Sequence, residues 1–306
     1  MLELPILNNS PANENEGHIV NLPVALISLN DKADRRNLLV ERGLDPNWVH
    51  TYFPATDFRG SDLASLGEVA DLESLKRING RSIRPAEIGC ASSHKEACQW
   101  LSRSNFNVLL VLEDDVIPQS QHYQQQLLSV ASYLLPHALA GSAFICHLGP
   151  PEQQVEPALK RQVRSRSAKA SLAMPPLYLF ADPDRTLWRA HAYLISKPAA
   201  ERALEIETKI TTLADDWCER RTMGILDEIF FTWPKIFQQD EEIDSTIRPP
   251  DHKDHYKPNI SDTSLIYRVF KAIRNGELVS RIEGSIKFRS KIVWARMLSR
   301  FTYHIS

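Results

Sequence analysis

The chain has 306 residues, of which 43% are hydrophobic and 24% are charged, and its formal net charge is -2. This composition is typical of a globular protein with a sizeable core and excludes a disordered chain. The near balance of charge disfavours nucleic acid as a partner. No two cysteines form a C-x-x-C pair, so we expect small buried side chains in a reducing compartment at Cys90, Cys98, Cys146 and Cys218.

The amino-terminal residues 1–22 are rich in Asn and Pro and are predicted to be a flexible lead-in. They lack the basic start and long apolar stretch of a secretory signal. No segment of the chain approaches the roughly 18 apolar residues that are needed to span a bilayer. The sequence therefore predicts a cytoplasmic protein, either free or peripheral on the cytoplasmic face of the inner membrane.

From residue 23 onward, strand-like and helix-like patterns alternate. Strands are predicted at 24–29, 50–55, 107–112, 143–148 and 188–196. Helices are predicted at 31–44, 86–102, 121–135 and 198–206. This rhythm predicts one α/β domain over residues 23–245, with a mixed sheet flanked by helices. The long connection at 150–178 contains the basic run KRQVRSRSAK and is either a functional lid or a solvated loop.

The carboxyl-terminal segment 246–306 has a different composition. Between Arg268 and Arg300 there are nine basic and two acidic side chains, which gives 9 − 2 = +7. Apolar residues recur among them at roughly helical spacing, so we expect a basic amphipathic helical extension. This extension either lies on an anionic membrane surface or packs on the core with a solvated basic face, and the sequence favours neither alternative.

Three carboxylates follow the most apolar predicted strand. Glu113, Asp114 and Asp115 end the segment LLVLEDD, directly after the strand at 107–112. Ligands of open α/β sheets bind beyond the carboxyl ends of strands. If the backbone stays extended, Glu113 and Asp115 project to the same side, which suits a hard divalent ion that also holds phosphates. The alternative is an acidic surface turn, or carboxylates paired with arginines.

Four blocks of sequence, in this order, resemble glycosyltransferase family 25, which contains bacterial lipopolysaccharide galactosyltransferases and their collagen-modifying relatives. The blocks are ISLNDKADRR, EIGCASSH, LLVLEDDVIP, and AYLIS followed by ADDW. The resemblance covers roughly residues 23–245. It implies a GT-A-like, Rossmann-type fold, a UDP-sugar donor with galactose first, a divalent ion (Mn²⁺ or Mg²⁺), and inversion at the anomeric carbon.

The same resemblance implies roles for the acidic residues after the strand. Asp115, with Glu113, would ligate the metal that bridges the diphosphate of the donor. Glu113 and Asp114 would orient the ribose or the waters of the metal. Such a metal acts as a Lewis acid on the departing nucleotide.

Three further residues are expected near the nucleotide of the donor. Asn30 and Arg36 come just after the first strand, and Asp57 comes just after the second. Each could equally be a turn or cap residue, and Asp57 could hydrogen-bond its own turn. Because Arg35 and Arg36 are adjacent on a predicted helix, we expect one of them to be solvated.

An inverting transfer also needs a base that takes the proton of the acceptor hydroxyl. The resemblance points to the acidic pair in TLADDWCE, Asp215 and Asp216, with Asp216 weakly favoured. Neighbouring like charges can raise the pKa of one carboxyl into a useful range. The alternative is that the pair marks a helix start, where carboxylates accept from free N–H groups.

Glu87 and His94 are the candidates for acceptor or sugar contacts. They are two helical turns apart and could share one helix face. A single histidine on such a helix is more often a satisfied structural residue than a base. His147 and His191 become ligand candidates only if the fold brings them near Asp115.

The leading interpretation is an inverting, metal-dependent glycosyltransferase that moves a sugar from a UDP-sugar to a lipid-linked, lipopolysaccharide-type oligosaccharide. The alternative is a catalytically silent member of the family that binds a glycan or a membrane surface. A nucleotidyltransferase would call for a glycine-rich loop after the first strand, and SLNDKADRR has no glycine. A glycosidase would need two carboxylates that flank the sugar, whereas these are clustered.

Overall fold

The structure of the protein, a computed structural model, describes residues 22–45, 48, 51–155, 175–180 and 187–243. The basic run KRQVRSRSAK, the lead-in before residue 22 and the extension at 246–306 lie outside the described residues, so the expectations for them stay predictions. Among the residues that are described, there is no helix with the length and apolar character to cross a membrane.

Nine strands and six α-helices lie entirely within the described part of the chain, together with a 3₁₀ helix at Leu63–Glu68. The strands are β1 Val24–Ser28, β2 Thr51–Pro54, β3 Val108–Glu113, β4 Val116–Pro118, β5 Phe144–His147, β6 Leu177–Leu179, β7 Ala192–Ser196, β8 Glu228–Thr232 and β9 Phe237–Gln239. The helices are α1 Ala33–Glu41, α2 Leu72–Asn79, α3 Pro85–Arg103, α4 Tyr123–Leu139, α5 Lys197–Ile206 and α6 Trp217–Thr222.

Seven of these strands form one mixed sheet in the order β2-β1-β3-β7-β5-β8-β6. β1 pairs in parallel with β2 and β3, and β5 pairs in parallel with β8. β7 runs antiparallel to β3 and β5, and β6 runs antiparallel to β8. Five strands therefore share one direction and end at the same edge of the sheet. β4 and β9 form a separate antiparallel pair next to the end of β3.

The central strand β3 is covered on both faces, as its apolar run predicts. Leu109 and Val111 pack into the cluster that contains α3 and α5, whereas Leu110 and Leu112 pack into the cluster that contains α1 and α4. All four side chains are fully buried. The predicted mixed sheet flanked by helices is therefore confirmed. It puts Glu113, the last residue of β3, at the edge of the sheet where the parallel strands end.

Helix α3 lies directly against the loop that follows β2. A Cβ atom at Gly89 would come within 2.5 Å of the carbonyl oxygen of Thr56, so only glycine permits this approach. One turn further along α3, the hydroxyl of Ser93 accepts a hydrogen bond of 2.9 Å from the backbone N–H of Thr56. The helix and the loop together form one wall of a cleft at the ends of β1, β2 and β3.

Candidate functional site

The cleft holds a cavity of about 80 Å³ at the carboxyl ends of β1, β2 and β3. Its lining includes Ser28 from β1, Thr56 and Asp57 after β2, Cys90 and His94 from α3, and Glu113 from β3. Such an edge is where open α/β sheets bind their ligands. Glu113 ends the strand, and Asp114 and Asp115 form a turn, so the extended geometry assumed for the triplet does not continue past Glu113.

Asp114 is buried and bonded inside the protein. Its Oδ2 accepts a hydrogen bond of 2.6 Å from the Ser28 hydroxyl, and its Oδ1 lies 3.4 Å from Nη1 of Arg35. Burying a carboxylate is costly unless donors or a cation compensate it, and these two groups do so. Asp114 therefore joins the end of β1 to the turn after β3.

Arg36 holds the turn that follows β1. Its Nη1 donates to the carbonyl oxygen of Leu29 at 2.7 Å and to Oγ of Ser28 at 3.0 Å. The guanidinium lies 4.7 Å from the ring centroid of Tyr52, a cation–π contact, and the Tyr52 hydroxyl donates to Oδ1 of Asn30 at 3.0 Å. Asn30 is exposed and directly follows Leu29, which lines the cavity.

The expectation that one of the two adjacent arginines is solvated is wrong. Arg35 contacts Asp114 with a side chain that is only 11% exposed, and Arg36 bonds the end of β1. Arginine side chains are long enough to reach from neighbouring helix positions to one strand end. Both guanidinium groups therefore make contacts at the ends of β1 and β3.

Asp57 lies in the cleft and bonds within its own turn, which was the alternative interpretation. Its Oδ1 accepts from the backbone N–H of Arg59 at 2.9 Å, and its Oδ2 accepts from the Arg59 guanidinium at 2.6 Å. The hydrogen bond from the Arg59 side chain holds the pKa of Asp57 below its ordinary value. Arg59 also pairs with Asp31 at 3.2 Å. A contact of Asp57 with the donor stays a prediction.

Glu113 and His94 form a partly buried hydrogen bond at the cleft. The distance between His94 Nε2 and Glu113 Oε1 is 3.0 Å, and His94 Nδ1 lies 2.8 Å from the hydroxyl of Tyr193. Burial lowers the pKa of His94 to about 3, so the imidazole is neutral. Burial, with the charges of Asp114 and Asp215, raises the pKa of Glu113 to about 8.

The two carboxylate oxygens of Asp115 differ in their contacts with the described residues. Its Oδ2 accepts a hydrogen bond of 2.8 Å from Nε2 of Gln239 on β9. Its Oδ1 is buried and has no hydrogen-bond partner within the described part of the chain. Burial and the charge of Glu113 raise the pKa of Asp115 to about 7. Because an unsatisfied buried oxygen is costly, these residues fit a bound cation, which would supply the missing partner.

The two candidate bases occupy different environments. Asp216 caps α6: its Oδ1 accepts from the backbone N–H of Glu219 at 3.2 Å, and burial raises its pKa to about 7. Asp215 accepts a 3.1 Å hydrogen bond from the backbone N–H of Arg189, which has a φ of 80°. Burial raises the pKa of Asp215, and its charge contributes to the raised pKa of Glu113. Asp215 thus interacts with the acidic cluster, and Asp216 organises a helix.

Glu87 has a structural function at the start of α3. Its carboxylate accepts two hydrogen bonds from the Arg81 guanidinium, at 2.5 and 2.9 Å, and one of 2.9 Å from the backbone N–H of Arg84.

His147 and His191 pack edge to face, with ring centroids 5.7 Å apart. The idea that His147 and His191 are ligands depends on their being close to Asp115, and it stays a prediction.

Four residues in or next to the cleft were not singled out by the sequence. Ser28 and Cys90 line the cavity, Tyr52 bonds Asn30, and Gln239 bonds Asp115. Of these four, only Cys90 could have been identified from the sequence as a possible ligand. It precedes His94 by four residues and therefore shares a helix face with it. Tyr52 and Gln239 come from other strands, and no spacing within one segment connects them to the acidic triplet.

A profile of the family described as Glycosyltransferase family 25 (LPS biosynthesis protein) matches residues 21–218. The match covers well over half of the chain and includes β1, α3, β3 and the acidic pair before α6. No curated protein matches the chain.

Proposed function

The chain belongs to glycosyltransferase family 25, and we propose that it transfers a sugar from a UDP-sugar to a lipid-linked, lipopolysaccharide-type oligosaccharide, with inversion at the anomeric carbon. Galactose is the first donor sugar to test, and Mn²⁺, then Mg²⁺, is the first ion. A GT-A-like relationship is supported by the mixed sheet and by the carboxylates where its parallel strands end.

The observation that carries this proposal is the buried Oδ1 of Asp115, which has no hydrogen-bond partner among the residues that the structure describes. A hard divalent ion prefers carboxylate oxygens and leaves positions open for phosphate oxygens. Asp115 and Glu113 would hold that ion, which supplies Lewis-acid stabilisation of the departing nucleotide. Gln239 fixes one oxygen of Asp115, and His94 fixes one oxygen of Glu113, so each carboxylate keeps its second oxygen for a ligand.

The groups around the end of β1 are proposed to bind the nucleotide. Arg36 holds the backbone after β1, and Tyr52 holds the side chain of Asn30, which leaves the amide nitrogen of Asn30 available to a ligand. Asp114 is proposed to keep the ends of β1 and β3 together rather than to contact the donor, because both its oxygens are engaged within the protein.

Asp215 is proposed as the base that accepts the proton of the acceptor hydroxyl. Asp216 accepts a hydrogen bond from the backbone at the N-terminus of α6. Asp215 is partly exposed, and its charge acts on Glu113. A pKa above the ordinary value makes a carboxylate a stronger base. The backbone N–H of Arg189 orients the carboxylate, and its second oxygen remains for the acceptor.

Glu87 and His94 are proposed to support the cleft from α3 rather than to touch the sugar, since Arg81 binds Glu87, and Tyr193 and Glu113 bind His94. The anionic membrane surface stays a proposed partner of the segment 246–306, on the grounds of its positive charge.

Calorimetric titration of UDP, with and without Mn²⁺, tests the proposal on the wild type and on Asp115→Asn. The matched control is Asp62→Asn, which removes an exposed carboxylate that makes no capping hydrogen bond. We expect Mn²⁺-dependent UDP binding in the wild type and in the control, and a loss of at least tenfold in Asp115→Asn. No UDP binding in either condition would overturn the donor site and favour the catalytically silent alternative.

A further inference from the structure

We propose that Cys90, His94 and Glu113 form a second cation site, selective for a thiophilic divalent ion such as Zn²⁺, at the floor of the cleft. One ligand atom from each of the three side chains lies within 4.8 Å of the other two. This assignment goes beyond the proposed transfer reaction and rests on the ligand atoms alone.

The fold brings the three ligands together from two rigid elements. Cys90 and His94 are one turn apart on α3, so both side chains project from the same helix face. Glu113 reaches them from the end of β3. Elements of regular structure hold ligands in place better than loops do, which favours a defined site.

A hydrogen bond between Tyr193 and Nδ1 of His94 fixes the orientation of the His94 imidazole. The Tyr193 hydroxyl lies 2.8 Å from His94 Nδ1, and Nε2 points to Glu113. Metal-binding histidines typically donate their second ring N–H to a neighbouring acceptor, which leaves the other nitrogen free for the ion. In the metal-bound form, Nδ1–H would donate to the Tyr193 oxygen, and the Nε2 lone pair would bind the ion in place of the hydrogen bond to Glu113.

The observed separation is close to what a tetrahedral ion requires. Zinc bonds to sulfur, nitrogen and oxygen are about 2.0–2.3 Å long, so two ligand atoms around one ion are about 3.6 Å apart. A contraction from at most 4.8 Å is within the reach of side-chain adjustment. The three protein ligands leave a fourth position, and all three residues line the cavity, so that position can hold water or a substrate oxygen.

The chemistry of the donor set separates this site from the one proposed at Asp115. A thiolate selects Zn²⁺ or Co²⁺ over Mn²⁺ and Mg²⁺, whereas an all-oxygen set selects the hard ions. When the ion binds, a metal–sulfur bond forms, the S–H bond of Cys90 breaks, and the proton passes to the buffer. Glu113 is common to both sites, so occupation of one affects the other.

Co²⁺ is the probe for the test, because thiolate ligation gives it a charge-transfer absorption in the near ultraviolet. We expect the full-length chain, freed of metal, to develop this band with one equivalent of Co²⁺ and to lose it when Zn²⁺ is added. Cys90→Ser should abolish the band. Cys98→Ala, a buried thiol two turns further along α3, and Asp115→Asn should both retain it.

The absence of the band in the wild type, or its persistence in Cys90→Ser, would overturn the proposal. X-ray absorption of the zinc-loaded wild type gives a readout that needs no variant: one sulfur neighbour is expected, and a shell of only nitrogen and oxygen would overturn it. Neither measurement depends on sugar transfer, so its failure is distinguishable from the failure of the proposed function.

Discussion

The hydroxyl of Ser28 donates a 2.6 Å hydrogen bond to Oδ2 of Asp114, two residues that are 86 positions apart in the sequence. The bond ties the end of β1 to the turn after β3. Asp114 is only 8% exposed, and its carboxylate contacts Ser28 and Arg35. In the described part of the chain, both carboxylate oxygens of Asp114 thus have a donor, whereas at Asp115 Oδ2 has one and Oδ1 has none.

Replacement of Ser28 by alanine should destabilise the protein. It leaves a buried carboxylate oxygen without its closest donor, which costs about 1–3 kcal/mol in free energy of unfolding. Urea denaturation measures the loss. The matched control is Ser129→Ala, since the Ser129 hydroxyl donates to the carbonyl of Gln125 on the exposed surface of α4, and a change of about 0.5 kcal/mol or less is expected. Equal effects of the two variants would contradict the assigned role of Ser28.

The two aspartates before α6 should differ in what they contribute. Asp215→Asn is expected to lower kcat by about 10²- to 10⁴-fold while the affinity for UDP is retained, because it removes the proposed base. Asp216→Asn should leave kcat within a few-fold of the wild type, since asparagine caps helices as well as aspartate does. Steady-state kinetics with a donor and an acceptor measure both. The reverse pattern would restore the weak preference for Asp216 that the sequence gives.

The stability of the metal-free protein should fall as the pH rises from 5 to 8. The pKa of Glu113 is about 8 in the folded chain, against an ordinary value of 4.5, so the folded state keeps its proton where the unfolded state has lost it. The stabilisation is complete below pH 4.5 and is lost as the pH rises toward 8.

The Glu113→Gln variant has no ionisable group at this position, so it serves as the control for the pH dependence of stability. Its stability relative to the wild type should increase between pH 5 and pH 8 by at least on the order of 1 kcal/mol. Urea denaturation at both pH values, in the presence of a chelator, measures the change. A constant difference between the two proteins would show that Glu113 ionises normally.

Arg36→Lys should weaken UDP binding about tenfold with a small loss of stability. Lysine keeps the charge but lacks the planar guanidinium, which packs on the ring of Tyr52 while it donates to Leu29 and Ser28. The turn that carries Asn30 is then held less firmly. Calorimetry measures the affinity, with Arg77→Lys on the exposed part of α2 as control. An unchanged affinity in Arg36→Lys would remove the end of β1 from the donor site.

Zn²⁺ should inhibit Mn²⁺-dependent transfer by the wild type, since both proposed sites share Glu113. Cys90→Ser should be less sensitive to Zn²⁺ by at least tenfold, because the thiolate supplies the selectivity. Dose–response curves at fixed Mn²⁺ measure the difference. Identical inhibition of the two proteins would mean that zinc acts elsewhere.

The elements with strong local patterns were predictable. β1 and β3 are continuous apolar runs, and α3 has helical periodicity with a proline in its first turn, so their positions follow from sequence to within a few residues. The sequence did not predict β4, β6, β8, β9 or α2. β4, β6 and β9 have three residues each and pair with a distant strand, whereas β8 has five residues and lies between β5 and β6 in the sheet. The strand predicted from 188 begins at Ala192, and Arg189 before it has a positive φ.

The position of the acidic triplet at the end of a buried strand was also predictable, but the function of each carboxylate was not. The contacts that separate Asp114 from Asp115 come from Ser28, Arg35 and Gln239, which lie far away in the chain. Likewise, nothing in the letters ADDW distinguishes a helix cap from a residue in the cleft. These distinctions arise from tertiary packing.

The contact between Gly89 and the carbonyl of Thr56 sets a limit on how the cleft can be altered. Any side chain at position 89 would act as a spacer that pushes α3 away from the loop after β2 and moves Cys90 and His94 away from Glu113. The width of the cleft therefore depends on the absence of a side chain at Gly89. Attempts to enlarge the range of accepted donors would do best to begin at the exposed rim, near Asn30 and Asp57, and to leave this point of contact intact.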